Sequence, residues 1–376
     1  MWVSIIIFLL TFIFWILGYG GFVKMNKQRS GLNKGKLPPV SVIIPAYKSE
    51  RTIEQTLKSV RNLDYPKKEI IVINDSEDRT PQIARKYGAR VIQNRKRMGK
   101  SVSLDIATGK AKNEILFFID SDTTVEKNTL KKLLPWFCKP EIMAVTPTFV
   151  AKNNRNIARL VSVENIFTHS HLRTHMYFNS LISFRGCCFA IRKKAIEKAG
   201  GWGRTLTEDN DMGAKIVKSG HVIQWEPEAV AKTDEPETVE ELRKQKIRWG
   251  AGSAYTFFRH RKYYKKSPQF LMYFFPYIII GFLVAFLVLW HFYMFATTLS
   301  LVHILNLAVE LIIISLATYF HITALIYSER GFINPSTLIK YIVYYLPMVN
   351  YFYFRGFVKG VRGKKRKEEE LNLNLW

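Results

Sequence analysis

The sequence is poor in cysteine and, for its length, poor in acidic residues. Its 376 residues include three cysteines, and 30 Asp and Glu stand against 56 Lys and Arg, which gives a formal net charge of +26. So few cysteines exclude a disulfide framework, and the adjacent Cys187 and Cys188 with the distant Cys138 lack the spacing of a structural zinc site. A reducing compartment is therefore expected.

Apolar residues, in contrast, are abundant and unevenly placed. Hydrophobic residues make up 48% of the chain and aromatic residues 14%, and they are concentrated near the two ends. This content excludes a disordered chain. The length suggests two or three domains at about 150 residues each. Because the charge lies mostly between apolar ends, a plain soluble enzyme is not expected.

The N-terminal run, residues 1–23, carries no charged side chain and is predicted to be a transmembrane helix, since about 20 apolar residues cross a bilayer. Bases follow the run and none precedes it, unlike a signal peptide. The positive-inside rule then makes residues 24–37 a basic cytoplasmic linker. A cleaved leader or a buried core helix is the alternative interpretation.

A second apolar block, residues 268–328, is long enough for two transmembrane helices, predicted near 270–296 and 301–327. Residues 334–356 are predicted to be a re-entrant segment, with a third C-terminal crossing as the alternative. The basic tail, residues 357–376, is expected in the cytoplasm. An anchor to anionic membrane lipid explains this tail more simply than nucleic-acid binding, so no nucleic-acid partner is expected.

The central segment, residues 38–249, alternates short apolar runs with charged, helix-like stretches. Strands are predicted at 40–44, 69–73, 90–93 and 115–119, and helices near 50–62, 78–87, 100–109 and 127–134. This alternation predicts an α/β domain with a Rossmann-like, mostly parallel sheet. Ligands of such sheets bind beyond the carboxyl ends of the strands. Residues 250–267, which mix aromatics and bases, are predicted to form an interfacial amphipathic segment.

Carboxylates follow two of the predicted strands. Asp120 and Asp122 stand two residues apart and could share one hard divalent cation, although Asp and Ser also commonly begin helices. Asp75 lies in a turn after the second strand, where it could accept a hydrogen bond from a nucleotide. The alternative is a simple turn in which Asp78 caps the next helix.

Three further motifs each have two interpretations, one functional and one structural. The basic loop around Gly99-Lys100 suits a phosphate but lacks P-loop spacing, and it could be a solvated loop. Thr207-Glu208-Asp209 offers a general base, or only a helix N-cap. Gln245-x-x-Arg248-Trp249 places an amide, a guanidinium and an indole on one helix face, suited to a diphosphate and a sugar or to anchoring at a membrane surface.

In this order the motifs resemble the membrane-integrated glycosyltransferase family 2, whose catalytic domain has the GT-A fold. Hyaluronan, chitin, cellulose and poly-N-acetylglucosamine synthases belong to this group. The resemblance runs from Val40 to about Trp249. It rests on the opening Val42–Tyr47, Asp75, Gly99-Lys100, Asp120 and Asp122, Thr207-Glu208-Asp209, and Gln245, Arg248 and Trp249. The residues Phe184–Cys188 depart from the usual acceptor-site loop, which leaves the acceptor's identity open.

The resemblance implies a role for each matched residue. Asp209 would be the catalytic base beside Glu208, Asp120 and Asp122 would hold Mn²⁺ or Mg²⁺, and Trp249 and Thr207 would bind the acceptor. The donor would be a nucleoside diphosphate sugar, with a UDP-sugar as the first candidate. Transfer would invert the configuration of the anomeric carbon. Its implied binding residues are Pro45, Tyr47, Glu50, Asp75, Lys100, Asp120, Gln245 and Arg248.

Three functions compete at this stage. The first is a polysaccharide synthase, in which the membrane-bound enzyme extends a glycan from the cytoplasmic face of the cell membrane. The second is a non-processive glycolipid synthase resembling ceramide glucosyltransferase, with a lipid acceptor. The third is a non-catalytic membrane protein whose +26 charge binds polyanions. Whether the protein forms a homo-oligomer is open.

Overall fold

The computed structural model describes residues 2–32, 35, 37–153, 155–264, 267, 283, 286–310, 312 and 334–363. The chain divides into two compact units. The sheet unit contains Gln28–Ser162, Leu181–Tyr263 and Met348–Trp376. The second unit contains Met1–Lys27, Val163–Ser180 and Tyr264–Pro347.

The sheet unit is built on one eight-stranded sheet with the order β3-β2-β1-β4-β7-β6-β8-β5. Its strands are β1 (Val40–Ala46), β2 (Lys68–Asn74), β3 (Arg90–Gln93), β4 (Ile115–Ile119), β5 (Thr124–Val125), β6 (Ile142–Ala151), β7 (Cys188–Arg192) and β8 (Val222–Thr233). The α/β class predicted from the sequence is therefore confirmed.

The four predicted strands form one parallel half of the sheet. β1 pairs in parallel with both β2 and β4, and β2 pairs in parallel with β3. β1 and β4 are buried almost along their whole length, as expected of unbroken apolar strands covered on both faces. Pro45 was expected to end β1, but it lies inside the strand because pairing with β4 stops at Ile43, so the missing N–H is not needed on that side.

The other half of the sheet contains the antiparallel pairs, but in the described part of the chain four of the seven strand pairs are parallel, so the sheet is mostly parallel as predicted. β7 enters antiparallel between β4 and β6, and β5 pairs antiparallel with β8, whereas β6 and β8 are parallel. The sheet is therefore mixed. These four strands were not predicted from the sequence, and strand direction depends on the path of the connecting chain, which the local residue pattern does not record.

Helices connect and cover the strands. They are α1 (Trp2–Ser30), α2 (Ile53–Arg61), α3 (Thr80–Lys86), α4 (Lys100–Lys110), α5 (Thr129–Leu133), α6 (Asn156–Phe178), α7 (Lys193–Lys198), α8 (Glu208–Lys218), α9 (Val239–Tyr264), α10 (Pro335–Lys340) and α11 (Leu346–Arg362). A 3₁₀ turn, Leu134–Cys138, follows α5, and a π-helical turn, Tyr341–Tyr345, joins α10 to α11.

Two predicted segment boundaries fall inside helices. α1 continues through much of the predicted linker 24–37, where Arg29 forms ion pairs with Glu226 and Glu228 of β8. These ion pairs join the basic end of α1 to β8, so the first part of the predicted linker is helical. Likewise, α9 runs unbroken past residue 250, so the predicted segment 250–267 begins as a continuation of the helix that carries Gln245 and Trp249.

Much of the predicted membrane block 268–328 and most of the tail 357–376 lie outside the described residues. Within the block, residues 286–298 and 301–310 are helical, and the break between them agrees with the predicted turn. The predicted segment 334–356 is helical from Pro335 onward. No helix in the described part of the chain has both the length and the apolar character that a bilayer crossing needs.

Within the sheet unit, α9 and α11 pack closely through glycine. A Cβ on Gly356 would collide with the backbone of Ile247, and one on Gly360 would lie 2.6 Å from the carbonyl oxygen of Ala251. The hydroxyl of Tyr353 also hydrogen-bonds to Ser253 at 2.5 Å. The helix that carries the Gln-x-x-Arg-Trp motif is therefore supported along one side by the C-terminal helix.

Candidate active site

A cavity of about 320 Å³ opens at the carboxyl ends of β1, β2 and β4. This is the edge where an α/β sheet usually binds its ligand, and the volume lies within the range of small-molecule pockets. Six of the predicted site residues line the cavity: Pro45, Tyr47, Asp75, Lys100, Asp120 and Asp122. Three separate strand ends and the start of α4 therefore contribute to one site.

Lys100 connects two motifs that lie far apart in the sequence. Its Nζ is 2.8 Å from Asp120 Oδ1 and 3.0 Å from Glu208 Oε1. Burial alone lowers the pKa of the Lys100 ammonium, but the two carboxylates outweigh this effect and hold its pKa above the ordinary value. Lys100 is therefore charged at any physiological pH, and it binds the Asp-x-Asp strand end to the start of α8.

The two aspartates of the Asp-x-Asp motif carry incompletely balanced negative charge. Burial raises the pKa of Asp120 to about 6, Asp122 adds to this effect, and Lys100 opposes it. Burial also raises the pKa of Asp122, whose Oδ1 accepts a hydrogen bond from the Thr123 hydroxyl at 3.1 Å. A raised pKa means that the surroundings disfavour the ionised form of the carboxylate. A bound cation would stabilise that ionised form.

The donor set suits a hard divalent cation held together with a ligand's phosphates. Asp120 and Asp122 offer carboxylate oxygens on the wall of the cavity. The described residues contain no group of three or more His, Cys, Asp or Glu arranged to hold a metal. The protein would thus supply two carboxylates and leave other positions to water and phosphate, as is common for Mg²⁺.

Asp209 is held by two backbone amides. Gly186 N donates to its Oδ2 and Asn210 N donates to its Oδ1, each at 2.8 Å. Burial, and then the charge of Glu208, raise the pKa of Asp209 to about 6, against the opposing effect of Lys100. A carboxylate fixed in position with a pKa close to neutrality is well suited to act as a general base.

Gly186 is a site residue whose role the sequence did not reveal. A Cβ at this position would lie 2.9 Å from Asp209 Oδ2, closer than real Cβ contacts. The unusual loop Phe184–Cys188 was visible in the sequence, but its hydrogen bond to Asp209 of the Thr-Glu-Asp motif was not. The signal available was only the glycine itself, which often marks a close approach of the backbone.

Tyr47 and Glu50, both predicted to bind the nucleotide, have different surroundings. The Arg97 guanidinium lies 4.4 Å from the centroid of the Tyr47 ring, on the cavity wall. A base could therefore meet both an aromatic and a cationic plane there. Glu50 instead accepts hydrogen bonds from Arg79 N at 3.2 Å and Arg79 Nε at 3.4 Å, and it is not among the residues that line the cavity.

The Gln-x-x-Arg-Trp residues are not all gathered at the first cavity. Gln245 and Arg248 line a second cavity of about 380 Å³ together with Asp234, Glu235 and other charged residues. The Lys246 ammonium lies 4.3 Å from the Trp249 ring centroid. Gln245, Arg248 and Trp249 are thus not among the residues that line the first cavity, although all three lie in the sheet unit.

Thr207 joins α8 to α9. Its side chain makes no capping hydrogen bond at the start of α8, and its buried Oγ1 has no hydrogen-bond partner among the described residues. Gly252 of α9 is so close that a Cβ there would collide with the Thr207 side chain. Because Gly252 lies three residues after Trp249, this contact sets the distance between the base motif and the helix of the Gln-x-x-Arg-Trp motif.

A second residue missed from the sequence, Asp211, is fully buried within the first turn of α8. Its Oδ1 pairs with His260 Nε2 of α9 at 2.8 Å, and Lys215 Nζ lies 3.0 Å from Oδ2. Burial raises its pKa, but the hydrogen bond from His260 and the charge of Lys215 bring the pKa below its ordinary value. This buried cluster makes a second link between α8 and α9.

Comparisons with known proteins indicate which family the chain resembles. Residues 41–200 match the family model described as "Glycosyl transferase family 2". They include β1, the residue Asp75, the Gly99-Lys100 loop and the Asp-x-Asp motif. This part of the chain therefore resembles a glycosyltransferase family 2 domain.

Relatives share a larger part of the chain. The probable glycosyltransferase YdaM of Bacillus subtilis (strain 168) is 34% identical over 239 residues, which cover 59% of this chain and 57% of that protein. Poly-beta-1,6-N-acetyl-D-glucosamine synthase of Staphylococcus epidermidis is 29% identical over 257 residues, covering 64% of this chain and 62% of the synthase. The chain thus spans about three fifths of the length of these relatives.

A solved structure supports the architecture. A mannosyltransferase from Pyrobaculum calidifontis, in complex with GDP-Man and Mn²⁺, matches with a TM-score of 0.59. The match covers 96% of this chain and 100% of that one at 18% sequence identity. At this identity the likeness concerns the fold, and it agrees with the predicted GT-A architecture of the sheet unit.

Proposed function

We propose that this protein is an inverting, metal-dependent membrane glycosyltransferase. It would move a sugar from a nucleoside diphosphate sugar to a hydroxyl of a growing polysaccharide, and a UDP-sugar is the first candidate for the donor. The observation that carries the proposal is the Lys100 bridge, 2.8 Å to Asp120 and 3.0 Å to Glu208. This bridge joins the phosphate loop, the Asp-x-Asp motif and the base motif at one place.

The first cavity is suited to the donor. Tyr47 and Arg97 form a wall on which a base could stack, and Lys100 supplies a buried positive charge for a diphosphate. Asp120 and Asp122 would hold a divalent cation, Mn²⁺ or Mg²⁺, which when bound supplies positive charge to the departing diphosphate. The structurally similar mannosyltransferase, solved in complex with GDP-Man and Mn²⁺, supports both parts of this assignment.

The reaction proposed is a single in-line displacement. Asp209 accepts the proton of the acceptor hydroxyl, and that oxygen forms a bond to the anomeric carbon of the donor sugar. The bond between this carbon and the diphosphate oxygen breaks, and the nucleoside diphosphate leaves with the bonding electrons. One displacement inverts the anomeric centre. Lys100 stabilises the negative charge that develops on the leaving oxygen, and Glu208 keeps Lys100 in place.

The acceptor is proposed to approach from α9. Trp249 presents an aromatic face of the kind that stacks on sugars, and Thr207 lies at the junction of α8 and α9. Gln245 and Arg248 line the second cavity, which would take the polar groups of the acceptor. The relatives named poly-beta-1,6-N-acetyl-D-glucosamine synthase support a glycan acceptor.

Membrane attachment is proposed from the sequence. Residues 1–23 carry no charge and are followed by bases, and the block 268–328 has Glu310 as its only acid. The positive-inside rule then places the sheet unit in the cytoplasm, at the inner face of the cell membrane. The net charge of +26 would hold this unit against anionic lipid and attract anionic donors.

The first experiment is a nucleotide-release assay on the full chain in detergent with added lipid. A panel of UDP-sugars and GDP-sugars is tested with Mn²⁺, with Mg²⁺ and with EDTA, and the product is sized. We expect metal-dependent release from one donor and a high-mass product. A single-sugar product on an extracted lipid would replace the polysaccharide synthase with the glycolipid synthase.

The matched variants are Asp209→Asn and Asp64→Asn. Asp209→Asn should reduce release by about a thousandfold, because the general base is lost. Asp64 is exposed and pairs with Lys131 on the surface, so Asp64→Asn should keep the wild-type rate. If the folded wild-type protein releases no nucleotide from any donor, or if both variants behave alike, the proposed function is wrong.

A further inference from the structure

The first turn of α8 carries four consecutive polar side chains that together contact three other elements of the sheet unit. These residues are Glu208, Asp209, Asn210 and Asp211. Their partners are, in the same order, Lys100 of α4, Gly186 N and Ser183 Oγ of the loop before β7, and His260 of α9. Of these four contacts, the one made by Asp211 reaches the helix that carries the Gln-x-x-Arg-Trp motif.

Asp211 lies on the opposite side of α8 from Asp209. Successive residues of an α-helix are rotated by about 100°, so two residues that are two apart point to nearly opposite sides. Gly186 N binds Asp209 on one side, and His260 Nε2 contacts Asp211 on the other side at 2.8 Å. The two contacts together fix the rotation of α8 about its axis, and this rotation sets where the Asp209 carboxylate points.

The contact between Asp211 and His260 is buried and charged. The Asp211 side chain has no exposed surface, and that of His260 is 6% exposed. Lys215 Nζ lies 3.0 Å from Oδ2 and Arg259 Nε lies 3.7 Å from Oδ1 of the same carboxylate. Because an ionised carboxylate can accept but not donate, His260 Nε2 carries the hydrogen and donates it. A hydrogen bond to a charged acceptor is roughly twice as strong as one between neutral groups.

The same carboxylate also holds the chain just before α8. A Cβ on Gly203 would lie 2.3 Å from Asp211 Oδ2, so the backbone at Gly203 passes directly against this oxygen. Lys215 Nζ, the cation beside Oδ2, donates a hydrogen bond to the carbonyl oxygen of Gly201 at 3.1 Å. The chain that leads into the base motif is therefore packed on the buried charge of Asp211.

We propose that Asp211, through its hydrogen bond with His260, is a positioning residue that holds the general base Asp209 in place relative to α9. Asp211 is fully buried and is not among the residues that line either described cavity, so it acts through Asp209 and not on a substrate. The inference rests on the proposed function for the roles of Asp209 and of α9, from which the acceptor is proposed to approach. The buried contacts themselves are independent of it.

The first test needs no substrate. Amide hydrogen exchange at Gly186 reports on the position of Asp209, because Asp209 is the acceptor for this amide. Exchange is measured on the full chain in wild type, His260→Ala and His260→Gln. We expect at least tenfold faster exchange at Gly186 in His260→Ala, and a rate near wild type in His260→Gln, whose amide can still donate to Asp211. Unchanged exchange in folded His260→Ala would overturn the proposal.

Glu226→Gln is the matched control, since it removes the charge of another buried carboxylate of the sheet unit. Glu226 contacts Trp136 Nε1, Glu228 N and Arg29 Nε, none of which belongs to α8 or α9. This variant should leave exchange at Gly186 at the wild-type rate even where its Tm is lower. A general loss of stability would accelerate exchange in β1 and β4 as well, which separates a local effect from unfolding.

The second test asks which kinetic parameter depends on the contact. The rate of nucleotide release is measured with the donor that is active in the panel above, and UDP is titrated with Mn²⁺ present to report on donor binding. His260→Ala should lower kcat about tenfold and leave UDP affinity within twofold of wild type, and His260→Gln should recover most of the rate. Because both residues act through one contact, adding Asp211→Asn to His260→Ala should lower kcat no further than the more damaging single variant does.

The outcomes separate this inference from the proposed function. Equal losses of kcat and UDP affinity, a His260→Gln variant as slow as His260→Ala, or additive losses in the double variant would each overturn the inference. If the wild type binds GDP and not UDP, the donor assignment fails and the same comparison is made with GDP. If Asp209→Asn releases nucleotide as fast as wild type, the proposed function fails, while the exchange result still decides whether Asp211 and His260 hold Asp209 in place.

Discussion

Gly186 and Asp209 are joined by a hydrogen bond of 2.8 Å from the glycine amide to the carboxylate, and the same oxygen would lie 2.9 Å from a Cβ on residue 186. The contact therefore requires both the amide and the absence of a side chain. It ties the loop before β7 to the first turn of α8. The position of the proposed general base is set from outside its own motif.

Gly186→Ala is expected to lower kcat at least tenfold, because the new methyl group displaces Asp209 or breaks its hydrogen bond. Donor KM should change little, since Gly186 is not among the residues that line the donor cavity. Gly109→Ala is the control, as a Cβ at that helical position meets nothing within 4 Å. Equal kcat values for the two variants would contradict a constraint at Gly186.

Lys100→Met is expected to destabilise the sheet unit by about 3 kcal/mol, because it leaves Asp120 and Glu208 partly buried without their cation. Thermal unfolding of the full chain gives the measurement. Mn²⁺ should raise the Tm of this variant more than that of wild type, since the metal would replace the missing charge. A Tm equal to wild type without metal would show that the bridge does not stabilise the fold.

The pH dependence of the rate follows from Asp209. Its pKa is raised to about 6, and only the ionised form accepts a proton. As pH falls through 6, Asp209 becomes protonated and kcat/KM should fall about tenfold per pH unit, while the rate should be level above pH 7. The profile is measured at saturating metal. If the acidic fall of kcat/KM has its midpoint near pH 4, burial does not raise the pKa of Asp209 in solution.

Gly252→Ala is expected to lower the free energy of unfolding by about 1–3 kcal/mol, because the new Cβ collides with Thr207 and forces α9 away from α8. Adding Thr207→Ala removes the atoms of the collision and should recover part of the Tm. If the double variant is no more stable than Gly252→Ala alone, the two helices do not meet through this contact.

The donor side of the site was predictable because its signals are local. An apolar run followed by a polar residue marks a strand end, and this pattern placed Tyr47, Asp75 and Asp120 at one edge of the sheet. Parallel strands bring such ends together at one edge of the sheet, and the course of the connecting loops does not change this. The prediction of the central domain as α/β rested on the same local alternation.

The features that the sequence did not predict depend on contacts distant in sequence. Nothing within Cys188–Arg192 indicates that β7 runs antiparallel between β4 and β6. Glu50 was assigned to the nucleotide by resemblance, and its hydrogen bond from Arg79, in the turn before α3, could not be read from the sequence. The same holds for the cavity that Gln245 and Arg248 line, because its shape depends on the path of α9.

The packing of Gly356 and Gly360 against α9 has a consequence for biosynthesis. The Tyr353–Ser253 hydrogen bond closes a loop of 100 residues. The face of α9 around Gly250 therefore stays uncovered until α11, which follows far along the chain, has been synthesised. All strands of the described sheet precede α9, so the sheet can form before the helix bearing Gln245 and Arg248 gains this packing partner.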